Sequence, residues 1–126
     1  MILKGKVVTG AGNFSYWIGQ LHELYKLKTG MDLYPGTLNV ELEQPYHLAG
    51  SIIRLEKEEY NGTVSVSILP CFLLGRSSFI LRTDKNARGE GDSLHQLHII
   101  EVASDVKFRD AFRLNDGDLV EVEVPE

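Results

Sequence analysis

The stretch SIIRLEKEEYNGTVSVSIL, residues 51–69, decides the fold class. In its second half Val64, Val66 and Ile68 alternate with Ser65 and Ser67, the two-residue period of a strand with one buried face. The first half carries Ile52, Ile53 and Leu55 ahead of Asn61-Gly62, a dipeptide whose tolerance of positive φ suits a tight hairpin turn. The spacing predicts a hairpin, with strands over 51–60 and 63–69 flanking Asn61-Gly62. Asn61-Gly62-Thr63 also fits a glycosylation acceptor, but the opening MILKGKVV lacks the apolar run of a secretory signal, and the turn is the better reading.

The same grammar extends outward. Residues 3–9, 37–42, 76–83, 97–103 and 118–124 are short, rich in branched apolar residues and bounded by turn signals, which brings the count to six or seven strands. Helical periodicity is confined to two places. Trp17, Ile18, Leu21, Leu24 and Tyr25 form one apolar stripe ending near Gly30, a natural C-cap, so this helix packs on the sheet. A shorter helix is predicted over 106–112, with Ser104 or Asp105 as N-cap, before a turn at Asn115-Asp116-Gly117-Asp118. The polar run DKNARGEGDSLH, residues 84–95, reads as a long surface loop. Many short strands with two short helices predict a mainly β fold: a closed or nearly closed antiparallel barrel capped by helices, an arrangement that leaves few sheet edges exposed.

The chain has 126 residues, enough for one domain over 1–126 with one sizeable core. No apolar run approaches the roughly 18 residues of a membrane span, and the expectation is a cytoplasmic protein with no membrane partner. A net charge of −5 and a pI near 5.3 argue against a sequence-independent grip on nucleic acid, which depends on Lys and Arg neutralising phosphates. The single cysteine, Cys71, lies among Leu69, Phe72 and Leu73 and reads as a buried small hydrophobe.

Chemistry is concentrated in YPGTLNVE, residues 34–41. After the Pro35-Gly36 turn, strand alternation puts Thr37 and Asn39 on one face and Leu38 and Val40 on the other. Two adjacent neutral oxygens suit a hard cation such as Mg2+, which keeps several waters and takes its remaining ligands from phosphates. A plain turn feeding a polar strand face is the competing reading. Gly10-Ala11-Gly12 lies between a strand and a helix and can present N–H groups to phosphates, although by its residues alone a plain tight turn is the better reading. Glu101 is an isolated carboxylate in HIIEVA and needs solvent or a partner. His95 and His98 are too few for a zinc site by themselves.

Taken in order, GKVVTGAG at 5–12, YPGTLNVEL at 34–42, Arg82-Thr83, IIEVAS at 99–104 and FRDAFRLNDGDLVEVEV at 108–124 resemble the archaeal-type CTP-dependent riboflavin kinases over almost the whole chain. That resemblance implies a compact six-stranded cradle-loop barrel that phosphorylates riboflavin to FMN with a nucleoside triphosphate, CTP in the family, and Mg2+. By position, Thr37 and Asn39 correspond to the metal ligands. Gly10, Ala11, Gly12, Asn13, Phe14 and Ser15, with Val106, Lys107, Phe108 and Arg109, correspond to nucleotide-binding segments. Thr83 and Glu101 correspond to flavin-binding residues, and Glu101 is the candidate group to orient the reacting hydroxyl or accept its proton. The family's glycine loop usually reads GLGEG where this chain has GAGNF, which leaves the donor nucleotide open. A flavin- or nucleotide-binding barrel without turnover is the alternative.

Overall fold

A computed structural model describes residues 1–10, 14–88 and 97–125, and the predicted barrel is present. Seven strands form where the alternation is strongest: β1 (Ile2–Val8), β2 (Leu38–Leu42), β3 (Ile53–Leu55), β4 (Val66–Leu73), β5 (Arg76–Thr83), β6 (Ile99–Ala103) and β7 (Leu119–Glu123). Every pairing is antiparallel, in the order β3-β4-β5-β6-β2-β1-β7. A further pairing of β4 with β7, Phe72 opposite Glu123 and Leu73 opposite Val122, closes six strands into a barrel. The first half of β4 pairs on β3 instead, so β3 is the extra strand.

Alternation then sorts side chains between two cores. Val7, Leu38, Val40, Leu69, Ile80, Ile100, Val102, Val120 and Val122 fill the barrel interior. Leu38 is 3% exposed; Leu38→Ala should cost about 2–5 kcal/mol, read as a lowered urea midpoint with an unchanged slope. Cys71 is buried in the same core, and desolvation pushes its thiol up to about 12, which keeps it protonated and unreactive.

The second core lies outside the barrel wall, where helices cover β4, β5 and β6. Phe14 and Ile18 of α1 (Phe14–Gln20) and Tyr25 of α2 (His22–Thr29) pack with Leu55, Val66, Ile68, Phe79 and Leu81. The predicted single helix is two, broken at Leu21, whose φ of −107° and ψ of 29° are not helical. Gly30 caps α2 at φ 74°, in the left-handed region where a side chain would be strained.

Three local expectations are corrected. β3 and β4 pair as predicted, but the connection is not a two-residue turn. Glu56 and Glu59 close a reciprocal capping box around a 3-10 turn over Lys57–Tyr60, and Asn61 terminates it at φ 57°. The second helix is only α4 (Phe108–Ala111), with Lys107 at its N-cap. Ser104 and Asp105 do not cap it: the Ser104 hydroxyl donates to the Ser77 carbonyl at 2.8 Å, and Asp105 pairs with Arg76 at 2.7 Å. Finally, the run after β5 begins with a turn of helix, α3 (Asp84–Ala87), whose N-cap Thr83 accepts the Asn86 N–H at 3.1 Å. Its remainder, from Gly89 through His95, lies outside the described residues. Among the described residues no helix is long and apolar enough to cross a membrane.

Candidate active site

The barrel registers place one row of outward-facing side chains across adjacent strands. Ile68 lies opposite Leu81, Leu81 opposite Glu101, Glu101 opposite Asn39, and Asn39 opposite Val8. Glu101 and Asn39 are therefore direct cross-strand neighbours although 62 positions separate them in the chain. Thr37, just before β2, shares their face and donates its hydroxyl to Glu101 Oε1 at 2.8 Å. The Pro-Gly turn and strand alternation bring the three oxygen-bearing side chains together.

Burial pushes the Glu101 carboxyl above the ordinary glutamate range, with the Thr37 hydrogen bond and the charge of Arg82 pulling the other way. Arg82 is 4% exposed and points into the barrel, where its guanidinium donates to the carbonyls of Tyr46 and Ile99. The Ile99 bond holds β6 two residues before Glu101. Sequence reading attaches no role to Arg82; a cation inside a strand of apolar residues is the signal that marks it.

Gly10 reaches this row from the end of β1. A Cβ at Gly10 would overlap the Asn39 amide, so only glycine leaves that side chain its place. The segment is braced from below: Thr9 donates to Asp116 at 2.6 Å, and Arg109 donates to Asp116 at 2.5 Å and to the Val8 carbonyl at 3.2 Å. Two of the predicted nucleotide segments, Gly10 and the start of α4, are thus joined through Asp116, which in the sequence reads only as a turn residue. Within the second segment Lys107 is exposed, Val106 is half-buried and Phe108 is core, so Phe108 can offer a ligand only its backbone. Ser15 is exposed and Phe14 is buried. Ala11, Gly12 and Asn13 lie outside the described residues.

A cavity of about 560 Å³ opens beside Glu101 and also takes in Thr83. Its walls are aromatic and aliphatic, from Phe14, Trp17, Tyr25, Leu55 and Tyr60, while Lys85 and Asn86 of α3 lie at its polar side. The size and the mixture of apolar walls with few polar groups are those of a small-molecule pocket. Asp84 anchors α3 against β3 through a bidentate pair with Arg54 at 2.7 and 2.8 Å, and this pairing holds the Asp84 carboxyl below the ordinary aspartate range. Sequence periodicity assigns Trp17 and Tyr25 to simple packing; that they line a cavity depends on β3, β5 and β6 arriving from elsewhere in the chain. His98 sits 3.4 Å from the Leu42 carbonyl, and His95 is outside the described residues. Among the described residues no three His, Cys, Asp or Glu side chains gather in a metal-binding cluster.

Comparison with known proteins finds relatives over most of the chain. The riboflavin kinase of Methanocella arvoryzae is 32% identical over 126 residues, covering 96% of this chain and 56% of its own length. That of Pyrococcus abyssi is 30% identical over 129 residues, with 95% and 57% covered. The riboflavin kinase of Staphylothermus marinus is 26% identical over 122 residues, with 95% and 88% covered. The chain therefore spans little more than half the length of the first two and most of the third. The family model CTP-dep_RFKase, described as domain of unknown function DUF120, matches residues 7–124, and the chain belongs to this CTP-dependent riboflavin kinase family.

Proposed function

We propose that this protein transfers the terminal phosphoryl group of a nucleoside triphosphate, CTP by the family's name, to the primary ribityl hydroxyl of riboflavin, giving FMN. The observation that carries the reading is the Thr37–Asn39–Glu101 group set at the edge of an aromatic cavity: oxygen ligands for a phosphate-bound cation beside a pocket for a flat, amphipathic acceptor.

The donor set fits Mg2+. The Thr37 hydroxyl donates its hydrogen bond to Glu101, so the lone pairs of its oxygen remain for a cation, and the Asn39 amide oxygen is a second neutral, hard ligand on the same face. Bound there, the cation would neutralise charge on the phosphates during transfer. The chain's own groups supply the rest. Gly10 and the segment around Lys107 and Arg109 cradle the nucleotide, Thr83 and Glu101 hold the flavin, and the wall of the cavity excludes water from the reacting oxygen. Glu101 accepts a hydrogen bond from the ribityl hydroxyl and aligns it with the phosphorus; since phosphoryl transfer depends mainly on positioning and electrostatics, few further groups are required.

The test is direct. Riboflavin and Mg2+ are incubated with CTP, ATP, GTP or UTP in turn and the products separated by chromatography; FMN should form with matching loss of triphosphate, most rapidly with CTP. If none of the four yields FMN at protein concentrations comparable to substrate, the site is a binding module without turnover.

A further inference from the structure

The cavity contains a buried hydroxyl that the fold does not use. Tyr25 is 1% exposed and lines the cavity, yet its phenol has no hydrogen-bond partner among the described residues. Buried polar groups are almost always paired, and the exceptions call for an explanation. Its surroundings are informative: burial first, and the nearby Tyr60 and Glu101 after it, raise the pKa of the phenol and keep it protonated. The hydroxyl is therefore a donor on a residue that lines the same cavity as Glu101 and Tyr60.

That aromatic end has a defined shape. Trp17 and Tyr60 meet at 6.1 Å between ring centroids, tilted by 57°. A third ring inserted between them would need roughly 7 Å, two carbon contact distances, so a flat ligand lies against the corner and not within it. Tyr60 is fixed at both ends of its ring. Its hydroxyl donates to the Val64 carbonyl, and its ring edge fills the space that a side chain at Gly62 would take. Trp17 is 43% exposed and forms the open side of the corner.

We infer that Tyr25 is a positioning residue for the polyol chain of the flavin, hydrogen-bonding a ribityl hydroxyl between Glu101 and the ring, and that the Trp17–Tyr60 corner receives the tricyclic ring. This rests on the riboflavin reading above, and extends it by dividing the acceptor pocket into a polyol part and a ring part.

The experiment is binding without nucleotide, so that it does not depend on turnover. Trp17 is the chain's single tryptophan, and its emission overlaps flavin absorption, so quenching reports occupancy directly. Riboflavin is compared with lumiflavin, which has the ring but a methyl group in place of the ribityl chain. Lumiflavin should compete with riboflavin. Trp17→Ala, followed through flavin fluorescence, should weaken both ligands by about 10-fold. Tyr25→Phe keeps the ring that packs in the core and removes only the hydroxyl; it should weaken riboflavin by about 10-fold, leave lumiflavin unchanged, and melt at or above the parent temperature because an unpartnered buried hydroxyl is gone. Either variant binding riboflavin as tightly as the parent overturns the inference, as does failure of lumiflavin to compete or an equal loss of both ligands in Tyr25→Phe. If the flavins bind in this pattern but no FMN forms, the kinase reading fails and this one stands; if FMN forms with an unchanged riboflavin KM in both variants, the kinase reading stands and this one fails.

Discussion

Glu101→Gln is expected to bind riboflavin almost normally and to lose about 10²–10⁴-fold in turnover if the carboxylate accepts the proton of the reacting hydroxyl. Glutamine keeps an acceptor oxygen for the Thr37 hydroxyl, 2.8 Å away in the parent, so the local structure is retained while the charge is removed. If Glu101 only orients the hydroxyl, Gln preserves much of the rate and Glu101→Ala alone is severely impaired. Single-turnover rates beside a riboflavin titration separate the two roles, and normal binding and rate in both variants would leave Glu101 as a plain strand residue. Acidity provides a second signature. Because burial raises this carboxyl, the parent's kcat/KM should fall on acidification through a pKa above that of a free glutamate, and the Gln variant should lack that limb. Stability runs the other way. Between the unfolded and the raised folded pKa the native state holds more protons than the unfolded chain, so the parent loses stability as pH rises through that window. The Gln variant escapes this loss: it should be the more stable protein at neutral pH, the two converging below the unfolded pKa.

Asn39→Ala should lower turnover by at least about 10²-fold, the scale of removing one positioned electrostatic group from a reacting centre. Its side chain is half-buried, faces outward from the barrel and contributes nothing to the interior core, so the melting temperature should move little. The opposite pattern is expected of its neighbour Leu38, which stabilises the core and touches no substrate. Gly10→Ala offers a milder version of the same lesion, since the added methyl occupies the place of the Asn39 amide. The decisive measurement is the Mg2+ dependence of the rate: Asn39→Ala with near-normal activity at limiting Mg2+ would remove Asn39 from the metal site.

The barrel is legible in the sequence because its strands alternate cleanly. Val64 to Ile68 and Leu119 to Val124 are patterns that hardly suit another structure, and burial on one face enforces their register. Local chemistry misleads where two good solutions compete. Asn61 does adopt positive φ, as a hairpin turn would require, but uses it to end a 3-10 turn stabilised by the Glu56–Glu59 capping box. Ser104 and Asp105 are sound N-caps in isolation, yet Ser77 and Arg76 on a distant strand claim them first. Within the candidate site, Thr37 and Asn39 are readable from spacing alone, whereas Glu101 stands out only as an anomaly until β2 and β6 pair. The cavity is not readable at all. Its walls come from α1, α2, β3, β5 and β6, and nothing about Trp17 or Tyr60 in sequence says that Gly62 clears the space for one against the other.

The closure of β1 on β7 and of β7 on β4 has a consequence for how the chain reaches its working form. Residues at the two ends of the sequence must meet before the barrel exists, and such distant encounters are entropically slow, in the range of milliseconds to seconds for β folds of this kind. The Asn39–Glu101 rung is itself a contact of this distant kind, between residues 62 positions apart. A fragment that contains only one of β2 and β6 cannot assemble the candidate site, because Asn39 and Glu101 become neighbours only when those two strands pair.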